Sequence, residues 1–372
     1  MAPAAAPALG VAPAAVGYFV PIVYLGSMIG TVTAGGWVAR FGPILVSQIG
    51  LLLCLAGLGV AVTGTLPAVL LGALLLGLGY GPATPASSVI LARTAPPRLL
   101  ALLFSIKQTG VPLGTAIAGA AVPVLVLALG WQGAALAIGG ACALLAVTLV
   151  PIRERYDATR NRAAPVSIRS AFAPIGLVAR DRRLLELSLV SFVYGGMQIT
   201  LIAYLVTFLV ESFALSLVLA GMIMAASQLT SVAARIAWGV FADRVASRRA
   251  TLGLLGLLMG CTAGAALFAT SAWPLWALFA FAMTFGATAV GWNGVFLAEI
   301  ARLAPRDRIS DATGGSAFFT FLGVVVTPPL FHLVLQATSS YALTYALFGL
   351  PALGAGLRLL LTAKIARDDP HP

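Results

Sequence analysis

Residues 238–249 read WGVFADRVASRR. An apolar run from about Leu215 ends here in Gly239, Asp243 and Arg244. Arg248 and Arg249 follow, and a second apolar run opens at about Ala250. A turn this short between two membrane-length runs sits at a bilayer surface, with its arginines on the cytoplasmic side. Asp243, at the end of one span, can engage neighbouring helix ends or arginines, while Gly239 lets two backbones come close.

The rest of the chain has the composition this reading requires. Of its 372 residues 60% are hydrophobic and 9% charged, with a mean hydropathy of +1.02. Soluble domains carry about 25% charge, so the chain is an integral membrane protein. Its net charge of +11 does not indicate nucleic acid, because the arginines fall in short loops between apolar runs. Cys54, Cys142 and Cys261 lie inside apolar runs and read as small hydrophobes, neither a disulfide frame nor a metal site. No G-x-x-x-x-G-K-[ST] occurs and Lys107 and Lys364 are the only lysines, so no ATP site is expected, nor any other cofactor.

A span needs about 20 apolar residues. Eleven candidates lie near 14–38, 43–64, 66–92, 99–128, 131–152, 184–209, 215–242, 250–270, 273–300, 309–337 and 340–363. Basic residues occupy every second connection, which predicts an outer N-terminus and a cytoplasmic C-terminus. The long polar stretch 153–183 reads as a solvated linker with a short amphipathic helix on the anionic leaflet. It divides an N-terminal bundle of five spans, 1–152, from a C-terminal bundle of six, 184–372.

The two parts also repeat. AGGWVARFG at 34–42 is a worn copy of AWGVFADRV at 237–245, with Gly35 facing Gly239, Arg40 facing Arg244, and Ala39 where Asp243 stands. Ala92-Arg93-Thr94-Ala95-Pro96 returns as Ala301-Arg302-Leu303-Ala304-Pro305. The offsets are 239 − 35 = 204 and 301 − 92 = 209, and two matches at nearly one offset indicate parallel repeats.

The stretch at 239–248 resembles the loop signature of the major facilitator superfamily, G-x-x-x-D-R-x-G-R-R. Gly239, Asp243, Arg244 and Arg248 match, whereas Ala246 and Ser247 replace Gly and Arg. The resemblance covers most of residues 14–365 and implies an all-α fold of two bundles related by an axis along the membrane normal. It implies secondary transport by alternating access, without enzymatic activity. Shifting the span at 184–209 back by about 205 places its partner before Met1, so the first of the family's twelve helices is expected upstream or is absent. A shortened, transport-inactive chain or a sensor is the alternative of another class.

Polar groups at membrane depth are the candidate site, since a charge at the bilayer centre costs about 2.5–3.5 kcal/mol on insertion scales. Lys107 in LLALLFSIKQTGVPLG comes nine residues after Arg98, placing its ammonium about 14 Å into the span. Gln108 follows it. Its functional reading is a cationic site for an anion; the other is a lysine paired with a carbonyl or an acid. Arg235, eight residues before Asp243, lies about 12 Å deeper in the same helix. Its position resembles that of an arginine in the anion-handling branches of the superfamily, oxalate/formate-type antiporters and monocarboxylate transporters. A guanidinium fork suits a carboxylate, with a cytoplasmic-gate arginine as the competing reading. His332, in TPPLFHLVL, belongs to the residue type whose charge changes near neutral pH, which suits proton coupling; packing is the other reading. Tyr80, Tyr194, Gln198, Trp292 and Asn293 fall in spans that the resemblance makes cavity-lining. Asp243, Arg244, Arg248 and Glu299, with Gly35, Arg40 and Gly239, form the expected gate and loop motif. The expected substrate is a small organic anion such as a carboxylate, with a proton as coupling ion, a monomeric state and lipid as the surrounding partner. Proton-coupled efflux of hydrophobic or cationic drugs is the alternative within transporters.

Overall fold

The computed structural model describes residues 19–158, 160–164, 173–270 and 272–365. Most of these are helical, with no strand among the described residues. In chain order the helices are α1 (Phe19–Phe41), α2 (Pro43–Ala61), α3 (Leu66–Tyr80), α4 (Ala83–Thr94), α5 (Leu100–Thr148), α6 (Val150–Asp157) and α7 (Ala173–Arg180). Then come α8 (Arg182–Phe213), α9 (Leu217–Arg244), α10 (Arg248–Ala265), α11 (Leu275–Ala289), α12 (Asn293–Leu303), α13 (Ile309–Thr338) and α14 (Tyr341–Ile365). Among the described residues, ten segments are long and apolar enough to cross a membrane, α3 with α4 and α11 with α12 each counting as one. The predicted span at 99–128 is the first arm of α5, which turns at Gly130 (φ 70°, ψ 172°) before the arm at 131–148. Large apolar side chains such as Leu127, Leu229 and Trp276 stay 71–89% exposed. Hydrocarbon tails are as apolar as leucine, so exposing them to lipid costs nothing.

The chain divides into two compact units, each discontinuous in sequence. The first comprises Met1–Thr94, Leu113–Leu185 and Leu303–Phe321; the second comprises Ala95–Pro112, Glu186–Arg302 and Leu322–Pro372. Within the first, α3 packs between α1 and α2, and α6 lies on α2. The carboxylate of Asp157, 1% exposed, accepts the backbone N–H of Ile44 at 2.8 Å and of Leu45 at 3.1 Å. The first N–H groups of a helix have no intrahelical partner, and a negative charge there also meets the positive end of the helix dipole. An acid from the polar stretch after 152 thus holds the start of α2. In the second unit α10 packs along α14 and α9 along α11. Ser216 and Ser247 cap α9 and α10 by accepting from Leu219 and Ala250, each at 3.2 Å.

One device occurs in both units. The span 66–94 is broken between Tyr80 and Ala83, and the span 275–303 between Ala289 and Asn293. In the first break the Thr31 hydroxyl donates to the Gly81 carbonyl at 2.9 Å. In the second Arg235 Nε donates to the Val290 carbonyl at 2.9 Å. The donors are offset by 235 − 31 = 204 and the acceptors by 290 − 81 = 209, the two offsets of the sequence repeat. A carbonyl released inside hydrocarbon must find another donor, and each copy supplies one from the equivalent helix position.

Candidate functional site: the broken span and its loop latch

Most of the candidate polar residues belong to the second unit and gather around the break at 290–292. Arg235 is 2% exposed. Besides the Val290 carbonyl, its guanidinium donates through Nη1 to the Gln108 carbonyl of α5. Three residues further along α9, Trp238 Nε1 donates to the Ala287 carbonyl at 3.0 Å. Consecutive turns of α9 therefore serve the orphan carbonyls at the end of α11, and the positive charge of Arg235 lies at the negative end of that helix. Trp292, fully buried, closes the break from inside by donating to the Ala289 carbonyl at 3.1 Å.

Tyr194 stands edge-on to Trp292, with ring centroids 5.7 Å apart at 83°. Its hydroxyl donates to the Leu252 carbonyl at 2.8 Å. One turn along α8, the Gln198 side-chain oxygen accepts from Asn293 Nδ2 at 2.9 Å. These four side chains tie α8 to the start of α12. Gln108 is 8% exposed and reaches Arg235 through its main chain. Lys107, the residue before it, is half-buried and forms no ion pair among the described residues. It sits seven residues beyond Leu100, the first residue of α5, about 10 Å into the helix.

The loop motif forms a latch at the arginine-bearing end of the same unit. Asp243, 1% exposed in its side chain, pairs with Arg248 Nη2 at 3.0 Å. It also accepts the N–H of Ala101 at 3.2 Å and of Leu102 at 2.8 Å, at the start of α5. Arg248 donates in turn to the Pro97 carbonyl at 2.9 Å. Gly239 is required by the approach of α5: a Cβ there would lie 2.7 Å from Ser105 Oγ and 2.9 Å from Leu102 Cα. On the other side of the same serine, a Cβ on Gly294 would lie 2.3 Å from Ser105 Cα. The first turns of α5 are thus held between α9 and α12.

Other sequence-selected residues are placed elsewhere. Glu299 is buried and makes a two-pronged pair with Arg302 at 2.7 and 2.8 Å, along its own helix. Arg244 and Arg40 are exposed, the latter with its guanidinium 5.6 Å from the Phe41 ring centre. His332 is exposed and faces Gln336 at 3.1 Å, one turn along α13. Tyr80 and Gly35 lie in the first unit. There Tyr80 packs on Phe321 together with Tyr24, and Gly35 abuts Asp311. Sequence reasoning passed over Thr31, Ser105, Asp157 and Trp238. Of these, Thr31 carried a usable signal, since it aligns with Arg235 at the repeat offset of 204.

Comparison with known proteins agrees with this architecture. The chain is 31% identical over 179 residues to the 4-hydroxybenzoate transporter PcaK of Pseudomonas aeruginosa, covering 47% of this chain. The match spans about 40% of the length of that curated relative. Among solved structures, the human organic anion transporter MFSD10 superposes with a TM-score of 0.75 at 18% identity, covering 96% of this chain and 88% of that one. The E. coli fucose:proton symporter FucP gives 0.72 at 16%, covering 94% and 90%. The family model described as Major Facilitator Superfamily matches residues 1–328. The fold, the multi-pass membrane character and this match together establish that the chain belongs to the major facilitator superfamily.

Proposed function

We propose that the chain is a secondary transporter of a small organic anion, working by alternating access between its two repeats, 1–152 and 184–372, joined by the segment 153–183. The observation that carries the substrate class is Lys107. It is an ammonium inside an apolar helix without an acidic partner among the described residues, next to the residue whose carbonyl Arg235 holds. An unpaired cation at this depth is costly unless an anion visits it. Arg235 is read as a positioning residue: it donates to the Gln108 and Val290 carbonyls, which holds the α5 backbone beside Lys107. Gln198, Asn293, Tyr194 and Trp292 shape the neighbouring wall, and the partial likeness to a hydroxybenzoate carrier supports an aromatic or small carboxylate.

The latch of Asp243 and Arg248 on the start of α5 is the proposed inward gate, opened and closed during the cycle. Arginine-bearing loops in the cytoplasm, location in a bacterial inner membrane, a monomeric state and proton coupling belong to the same proposal. Counterflow of labelled 4-hydroxybenzoate into proteoliposomes tests it, with a series of small carboxylates as competitors. Lys107→Gln is expected to lower anion affinity about ten-fold or more while leaving the protein folded. Transport of a hydrophobic cation with no competition by any carboxylate would overturn the anion reading. Collapse of uptake by a protonophore is the expected sign of proton coupling.

A further inference from the structure

Beside the break at 290–292, the amides of Gln198 and Asn293 bond to each other and leave their other ends uncommitted. Asn293, the first residue of α12, donates through Nδ2 to Gln198 Oε1 at 2.9 Å. Both residues are half-buried and lie in the second unit. Neither side chain forms another hydrogen bond among the described residues. The N–H groups of Gln198 Nε2 and the oxygen of Asn293 stay free, a donor beside an acceptor. Turning both amides over gives the same complement. The other polar side chains around the break differ in this respect: Trp292, Trp238 and Tyr194 are committed to the Ala289, Ala287 and Leu252 carbonyls.

The free ends are also within reach of a solute. Among the described residues, the polar side-chain atoms sealed in without a partner are Ser105 Oγ, Ser227 Oγ, Arg248 Nε and Ser310 Oγ. The ends of the amide pair are not in that set, so they face open space and not packed side chains. A free amide end at membrane depth is costly against hydrocarbon and is tolerated where water or a solute meets it. A Cβ on Gly294, the next residue of α12, would lie 2.3 Å from Ser105 Cα, which sets Asn293 at the level of this part of α5. Lys107 comes two residues after Ser105, about 3 Å further along the helix axis. A cation on α5 and an amide pair between α8 and α12 thus occupy one depth of the same unit.

We infer that Gln198 and Asn293 select the substrate by a second polar group, one that both donates and accepts, such as a hydroxyl; this rests on the anion reading of Lys107. A hydroxyl accepts from Gln198 Nε2 and donates to the Asn293 oxygen, satisfying both free ends at once. A second carboxylate only accepts, and sets its charge against the Asn293 oxygen. An ammonium only donates, and meets the Gln198 N–H groups. An apolar end displaces water from the pair and returns nothing, which is how a hydrogen-bonding site rejects an analogue lacking the group. The substrate class is therefore a carboxylate with a hydroxyl set apart from it.

The test is competition against counterflow of labelled 4-hydroxybenzoate in proteoliposomes containing the full chain. The competitors are unlabelled 4-hydroxybenzoate; benzoate, which has no hydroxyl; 2-hydroxybenzoate, whose hydroxyl is engaged by its own carboxylate; and terephthalate, with a carboxylate in the hydroxyl's place. Unlabelled 4-hydroxybenzoate is expected to compete about ten-fold more strongly than each of the others, the effect of about one net hydrogen bond. In Gln198→Met and in Asn293→Leu that preference is expected to shrink to about two-fold or less. Lys107→Gln is expected to weaken all the competitors while keeping their order. If the pair did no more than tie α8 to α12, the variants would take up less of every carboxylate at an unchanged preference, and that result overturns the inference. Equal competition by all the carboxylates in the wild-type chain overturns it without any variant and leaves the anion reading standing. No competition by any of them overturns both.

Discussion

Asp243 satisfies two helix-start N–H groups and one guanidinium at 1% side-chain exposure. Hydrogen bonds to a charged group contribute about 1.5–3 kcal/mol each, and they are not additive. Asp243→Asn keeps the shape but loses the charge, and is expected to destabilise the protein by about 2–4 kcal/mol. That loss should be visible as a lower melting temperature in detergent and as a latch more readily cut by protease near Pro97. Asp157 caps α2 in the same manner, so Asp157→Asn should cost a similar amount. The first of these acids was legible because it sits in a recurring signature at a span end. The second was not, because it acts on residues 113 positions away from within a polar stretch whose composition gives no hint of burial. His332, exposed and facing Gln336, stayed open between two readings for a related reason. A transmembrane helix is apolar on both its lipid face and its packed face, so periodicity cannot say which way a polar residue turns.

The two broken spans are the elements that organise the second and first units. Arg235→Met leaves the carbonyls of Val290 and Gln108 without their donor inside an apolar setting. A loss of about 2–4 kcal/mol is expected, together with a fall in anion affinity even though the substrate contact assigned to Lys107 is intact. Thr31→Val removes one neutral bond from the matching break and should cost about 1 kcal/mol. Thermal unfolding of the two variants side by side checks the ordering; equal losses would mean that the arginine does no more than the threonine. The break at 81–82 was foreshadowed by Gly81-Pro82, since proline cannot donate and a preceding glycine permits a turn. The break at 290–292 had only Gly291, and a single glycine in an apolar run is tolerated by a continuous helix as readily as by a broken one.

At the scale of the molecule, spans and repeat were readable from hydropathy and from two offsets. The interleaving of the compact units was not. Residues 95–112 belong with 186–302, and residues 303–321 belong with 1–94. No local pattern announces such an exchange, because it depends on which helix start meets Gly239 and Gly294. A fragment of residues 184–372 expressed alone would present Asp243 without the N–H groups of Ala101 and Leu102. It is expected to be degraded or aggregated, and to be rescued by co-expression with residues 1–183. A stable, monodisperse fragment would show that the segment 95–112 is dispensable for the fold of its unit.

That exchange also sets an order on biosynthesis. The start of α5 leaves the ribosome well before the glycine surfaces that receive it exist. The first unit in turn waits for residues 303–321, which are translated after most of the second. Insertion of early spans into the bilayer can proceed one by one, but neither unit can close until translation has passed about five-sixths of the chain. Newly made protein therefore spends most of its synthesis with unengaged helix starts at the membrane surface. A ribosome stalled before residue 303 would hold a chain that is threaded through the bilayer but has not yet assembled.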